Sequence, residues 1–111
     1  MFTEMITFQV KPDKIDEFEK LAESMKADMA ARPGCVGVHL FKRFYTFDKV
    51  ENGQPPRELT KIVKCVKYFA YWEFETIEDC GKGCGWFFTE YYQPVSKLLI
   101  MPFDINSGYA L

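Results

Sequence analysis

Nine residues constrain the fold of this chain most: Lys67-Tyr68-Phe69-Ala70-Tyr71-Trp72-Glu73-Phe74-Glu75. The stretch is dense in aromatics and contains neither Gly nor Pro, which predicts a β-strand. The two-residue period of a strand puts Tyr68, Ala70, Trp72 and Phe74 on one face, and Phe69 and Tyr71 on the other. Large apolar groups on both faces predict a strand inside a sheet, covered on each side. Aromatic residues make up 17% of the chain, so a core or a cleft built on this strand is aromatic-lined.

The flanking sequence supplies the partners. Residues 1–10 alternate, with Phe2, Ile6, Phe8 and Val10 on one face and Thr3, Met5, Thr7 and Gln9 on the other, which predicts a first strand. Pro12, Asp13, Asp16 and Glu17 then form a helix start. Ile15, Phe18, Leu21, Ala22, Met25 and Met29 recur at three- and four-residue steps as one apolar helical stripe, stopped at Arg32-Pro33-Gly34. A second strand is predicted over Cys35–Tyr45, with Val36, Val38, Leu40 and Phe44 on one face and Gly37, His39, Phe41, Arg43 and Tyr45 on the other. Residues 47–60 carry Asn52-Gly53 and Pro55-Pro56, the marks of a long loop or an extended hairpin tip, and lead into a third strand over Lys61–Glu75. Thr76-Ile77-Glu78-Asp79 opens a helix. Gly81, Gly83 and Gly85 are expected to break it before it resumes over Trp86–Tyr92, with a short further helix over Pro94–Leu99. A fourth strand is placed near Phe103–Ser107 or slightly later.

The order strand–helix–strand–strand–helix–strand predicts a single α+β domain over residues 1–111. Its expected topology is ferredoxin-like β-α-β-β-α-β, a four-stranded antiparallel sheet with both helices on one face. Phe41, Tyr45, Phe69 and Tyr71 would then be left on the uncovered face. A second copy of the same face is the simplest cover, so a homodimer is expected.

Composition narrows the function. Fourteen Lys and Arg against sixteen Asp and Glu leave no basic excess, so nucleic acid is not an expected partner. No apolar run is long enough to span a bilayer and the first residues do not pattern as an export signal, so no membrane partner and a cytoplasmic location are expected. Cys35, Cys65, Cys80 and Cys84 then read as reduced thiols packed as small apolar groups. The spacing of Cys80 and Cys84 is not that of a zinc knuckle, and no metal site is expected.

Trp72 is the first candidate for substrate contact, since an indole in the layer between sheet and helices either stacks on a flat ligand or fills the core. Tyr68, Tyr71, Tyr91 and Tyr92 carry hydroxyls able to orient a substrate. Tyr91 and Tyr92, beside Phe87 and Phe88, also read as a helix packing stripe with an exposed neighbour. His39, the sole histidine, is the candidate catalytic base, because imidazole titrates near neutrality. Arg43 is suited to a carboxylate or quinone oxygen. The three glycines lack the spacing and setting of a nucleotide loop and suit a flexible pocket entrance flanked by Cys80 and Cys84, whose redox role the sequence leaves open.

Phe8-Gln9-Val10-Lys11-Pro12-Asp13, Arg32-Pro33-Gly34-Cys35-Val36-Gly37 and Tyr71-Trp72-Glu73-Phe74 before Thr76-Ile77-Glu78-Asp79 resemble, in order and spacing, the antibiotic biosynthesis monooxygenase-like family of dimeric α/β barrels. The resemblance runs from about residue 3 to residue 99. It implies a pocket between sheet and helices, lined here by Trp72, Tyr68, Phe87 and Tyr91. It also implies cofactor-independent monooxygenation of an electron-rich aromatic such as a quinol or phenol. Non-enzymatic small-ligand-binding or structural barrels are the alternative. The haem-degrading branch uses an Asn on the first strand, a Trp on the third and a His on the second helix. Only Trp72 is present, so haem is not expected.

Overall fold

The computed structural model describes residues 1–111, with elements β1 (Phe2–Val10), α1 (Ile15–Ala30), β2 (Cys35–Lys42), β3 (Tyr45–Thr46), β4 (Arg57–Glu58), β5 (Val66–Phe74), α2 (Ile77–Glu90), α3 (Tyr92–Ser96) and β6 (Asp104–Tyr109). The main sheet is antiparallel in the order β2-β5-β1-β6, so the aromatic strand β5 is central as its sequence requires. This is the expected ferredoxin-like sheet. Within one chain it stays open at β2 and β6.

Phe2, Ile6, Phe8 and Val10 of β1 and Val66, Tyr68, Ala70, Trp72 and Phe74 of β5 are buried beneath the helices. Phe18, Ala22, Met25 and Met29 of α1 and Cys80, Gly83 and Phe87 of α2 are the buried residues of the two long helices. Each large side chain so buried favours folding by about 1.5–3 kcal/mol. Gly34 ends the turn after α1 with φ of 78°, a left-handed conformation that glycine adopts without strain.

Several sequence expectations are corrected. The second strand stops at Lys42, and Tyr45–Thr46 instead pairs with Arg57–Glu58 as a separate two-stranded arm. The tip between them holds the Asn-Gly turn and both prolines, and Arg57 Nε bonds Asp48 Oδ2 at 2.5 Å across it. The third strand begins at Val66 rather than Lys61. A bulge between Cys35 and Gly37 turns Val36 outward, 47% exposed, away from the face predicted for it.

Helix α2 is continuous through all three glycines, where a break was expected. Thr76 caps it, its Oγ1 accepting the Asp79 N–H at 3.1 Å, and Glu78 and Asp79 oppose the helix dipole. The stronger reason lies at Gly83. A Cβ there would stand 2.7 Å from Phe74 Cζ and 3.3 Å from Trp72 Cη2. The glycine therefore lets the helix lie closely on the sheet, and the packing gained offsets its poor propensity. The short helix expected from Pro94 begins two residues earlier, at Tyr92.

Candidate functional site

Of the four predicted contact residues, Trp72 and Tyr68 lie on the helix-covered face of β5, Phe87 on α2 and Tyr91 at the end of α2. Trp72 lies 4.7 Å from Phe74 and 6.3 Å from Phe87 between ring centroids, and Phe87 stacks on Tyr91 at 5.8 Å. Tyr68 meets Phe18 of α1 at 4.6 Å. Trp72 and Phe87 are fully buried, and no cavity opens beside either of them. The structure thus brings Trp72, Phe87 and Tyr91 into one packed cluster, with Tyr68 further along the same face.

Both tyrosine hydroxyls donate to carboxylates on α1. Tyr68 bonds Glu19, which also receives Lys42 Nζ at 3.0 Å, and Tyr91 bonds Asp28. Burial, then the neighbouring Glu19 carboxylate, pushes the Tyr68 phenol above its ordinary value. Burial and then Asp28 do the same to Tyr91. Glu19 is held below the usual carboxylate range, first by the Tyr68 hydrogen bond. Tyr68 also floors an open concavity of about 290 Å³ with Ala22, Leu40 and Phe41, rimmed by Glu19, Glu23, Lys26 and Lys42. Of Trp72, Tyr68, Phe87 and Tyr91, it alone reaches an open cavity.

His39 is not part of this layer. It sits exposed on the helix-free face of β2, across from Tyr71, whereas Trp72 points to the helices. Arg43 lies on that same far side, in a concavity of about 370 Å³ shared with Lys61, Lys64 and Lys67.

The sequence reading passed over Glu4. It interrupts the apolar face of β1 between Phe2 and Ile6, directly across from Trp72, and is only 3% exposed. A lone carboxylate in an otherwise apolar alternation was the available signal. Cys80 Sγ lies 3.6 Å from Glu4 Oε1. Burial raises the Glu4 pKa, against hydrogen bonds from Cys80 and Cys84 that lower it. Burial and then the Glu4 charge push the Cys80 thiol up to about 12 and the Cys84 thiol up to about 11. Both thiols therefore stay protonated near neutrality, opposite to what a reactive cysteine needs.

A carboxyl whose folded pKa lies above its unfolded value favours the fold while protonated. That contribution is complete below the unfolded value, about 4.3, and is lost as pH rises through the folded one. Glu4→Gln removes the titration. Its Tm is expected to exceed that of the parent chain at pH 7–8, with the difference closing towards pH 4, as followed by thermal circular dichroism. A pH-independent difference would show that Glu4 does not titrate with folding.

The model of the antibiotic biosynthesis monooxygenase family matches residues 1–54, so the resemblance read from the sequence stands. No curated protein gives a significant match. Among solved structures, Rv0793 from Mycobacterium tuberculosis superposes with a TM-score of 0.70 at 15% identity, covering 99% of this chain and 94% of its own. SnoaB, a cofactor-independent oxygenase from Streptomyces nogalater solved as a point mutant, gives 0.68 at 18% identity, covering 98% and 91%. A conserved protein from Methanosarcina mazei gives 0.62 at 19%, covering 96% and 89%. At these identities the superpositions establish the fold. No helix is long and apolar enough to cross a membrane.

Proposed function

We propose that this chain is a cofactor-independent monooxygenase acting on an electron-rich aromatic, a phenol or quinol, in the layer between its sheet and α2. The observation that carries the reading is the aromatic wall formed by Trp72, Phe74, Phe87 and Tyr91 in a fold of this family type. Such a layer excludes water and stacks on a flat ring. Loss of the substrate proton leaves an electron-rich anion that reduces dioxygen directly. For a phenol, the O–H hydrogen and one ring hydrogen leave, one oxygen atom stays as the second quinone oxygen, and the other departs as water. The substrate supplies the electrons, so the balance closes without a cofactor. The layer is packed, and admission of a substrate requires α2 to lift from the sheet.

Purified protein given a panel of phenols and hydroquinones under labelled dioxygen is expected to consume oxygen above background and to place one labelled atom in the product. Oxygen uptake equal to the protein-free rate across the panel would end the oxygenase reading. The full burial of Trp72 and Phe87 favours a second reading, a ligand-binding or structural barrel. Saturable ligand binding without turnover would select the binding role.

The helix-free face supports a homodimer. Phe41 is 54% exposed and stacks on Phe69 at 5.3 Å, with Met5 and Tyr71 in the neighbouring row. Sedimentation equilibrium is expected to give twice the chain mass, and Phe41→Glu to give a folded monomer. A parent chain that stays monomeric at high concentration removes the dimer.

A further inference from the structure

Two buried polar atoms in the sheet–helix layer lack a partner: Glu4 Oε2 and Trp72 Nε1. They belong to residues directly opposed in the β1–β5 register, both turned to the helices, 3% and 0% exposed. Side chains of such a pair leave the sheet about 5 Å apart. The other carboxylate oxygen, Oε1, already has Cys80 Sγ at 3.6 Å. Buried polar groups without partners are rare, because each forfeits its hydration with nothing in return.

The two orphans are complementary. A carboxylate oxygen needs a donor, and an indole N–H needs an acceptor. A hydroxyl is both at once. The neighbouring protein groups do not fill the role: both thiols face Glu4 as donors, and sulfur is a weak acceptor for the indole. The surroundings fix the rest of the ligand. The Phe74 ring lies 4.7 Å and the Phe87 ring 6.3 Å from Trp72, which suits a flat aromatic rather than a sugar or an aliphatic alcohol.

We infer that Glu4 and Trp72 form a clamp for the hydroxyl of a phenolic ligand, with Glu4 Oε2 accepting its O–H and Trp72 Nε1 donating to its oxygen. This deepens the oxygenase reading and rests on it for the aromatic class of ligand. It also puts the proton acceptor on β1, on the opposite side of the sheet from His39. α2 lies closely on this layer at Gly83, so the ring is admitted only as α2 lifts from the sheet.

The clamp is tested by binding, without turnover, using isothermal titration calorimetry with para-cresol and its methyl ether. The ether keeps the ring and the acceptor oxygen but has no proton for Glu4. Cresol is expected to bind about tenfold or more tightly than the ether, the worth of one hydrogen bond to a charged group. Glu4→Gln is expected to reduce that preference severalfold, and Trp72→Phe to weaken cresol and ether alike, each variant checked for native circular dichroism. Equal binding of cresol and ether, binding unchanged in both variants, or no binding at all would overturn the clamp and leave the two atoms to an ordinary buried water. Selective cresol binding with no oxygen uptake keeps the clamp and removes the oxygenase. Oxygen uptake unaffected by Glu4→Gln does the reverse.

Discussion

Trp72→Ala is expected to lower the unfolding free energy by about 3–5 kcal/mol, read from urea denaturation. Trp72 is fully buried against Phe74 and Phe87 on a central strand, so nothing at the surface can close over the space it leaves. A domain of this size has only about 5–15 kcal/mol in total, so the variant should sit near the edge of folding at 37 °C. Trp72→Phe keeps a ring in the layer and should lose markedly less. A loss below about 1 kcal/mol for the alanine variant would mean that the layer is loosely packed or already hydrated. That result would also weaken the case for a water-excluding reaction space.

The second large effect runs against helix propensity. Ala is preferred to Gly in a helix by about 1 kcal/mol, so Gly81→Ala and Gly85→Ala, whose added Cβ would meet nothing within 4 Å, should each stabilise by up to that amount. Gly83→Ala should instead destabilise by about 1–3 kcal/mol, because its Cβ would meet Phe74 Cζ at 2.7 Å and Cε1 at 2.9 Å. Phe74 is itself fully buried against Trp72, so its ring has nowhere to go. Three alanine variants on one helix, compared by denaturation, give the signs directly. A stabilising Gly83→Ala would show that α2 does not lie as close to the sheet as described.

Period and order in the sequence carried most of the fold. The alternation of β5 and the stripe of α1 are burial patterns, and burial is what the sheet and helices answer to. The continuity of α2 was hidden because local propensity reads Gly81, Gly83 and Gly85 alike. Only tertiary contact separates Gly83, pressed against Phe74, from the two that face open space. The outward turn of Val36 was hidden for a related reason: a bulge between Cys35 and Gly37 leaves no mark in an alternating pattern. At the site, Trp72 was legible as a large residue in a two-faced strand, but the residue opposite it was not. Glu4 looked like one polar residue near a chain terminus. Its importance comes from the strand register, which pairs it with Trp72. His39 drew attention by residue type alone, and the alternation of β2 could not say which face met the helices.

The bulge at Val36 also bears on how copies of this chain can join. Sheets with free edges tend to grow by adding strands from a neighbour, the route to fibrous aggregates. Here β2 is kinked at its start by the bulge, and its other end passes into the β3–β4 arm. The opposite edge, β6, offers only six residues, Asp104–Tyr109. Neither border presents a long flat template for another backbone. Strand-by-strand growth into open-ended ribbons is thereby disfavoured.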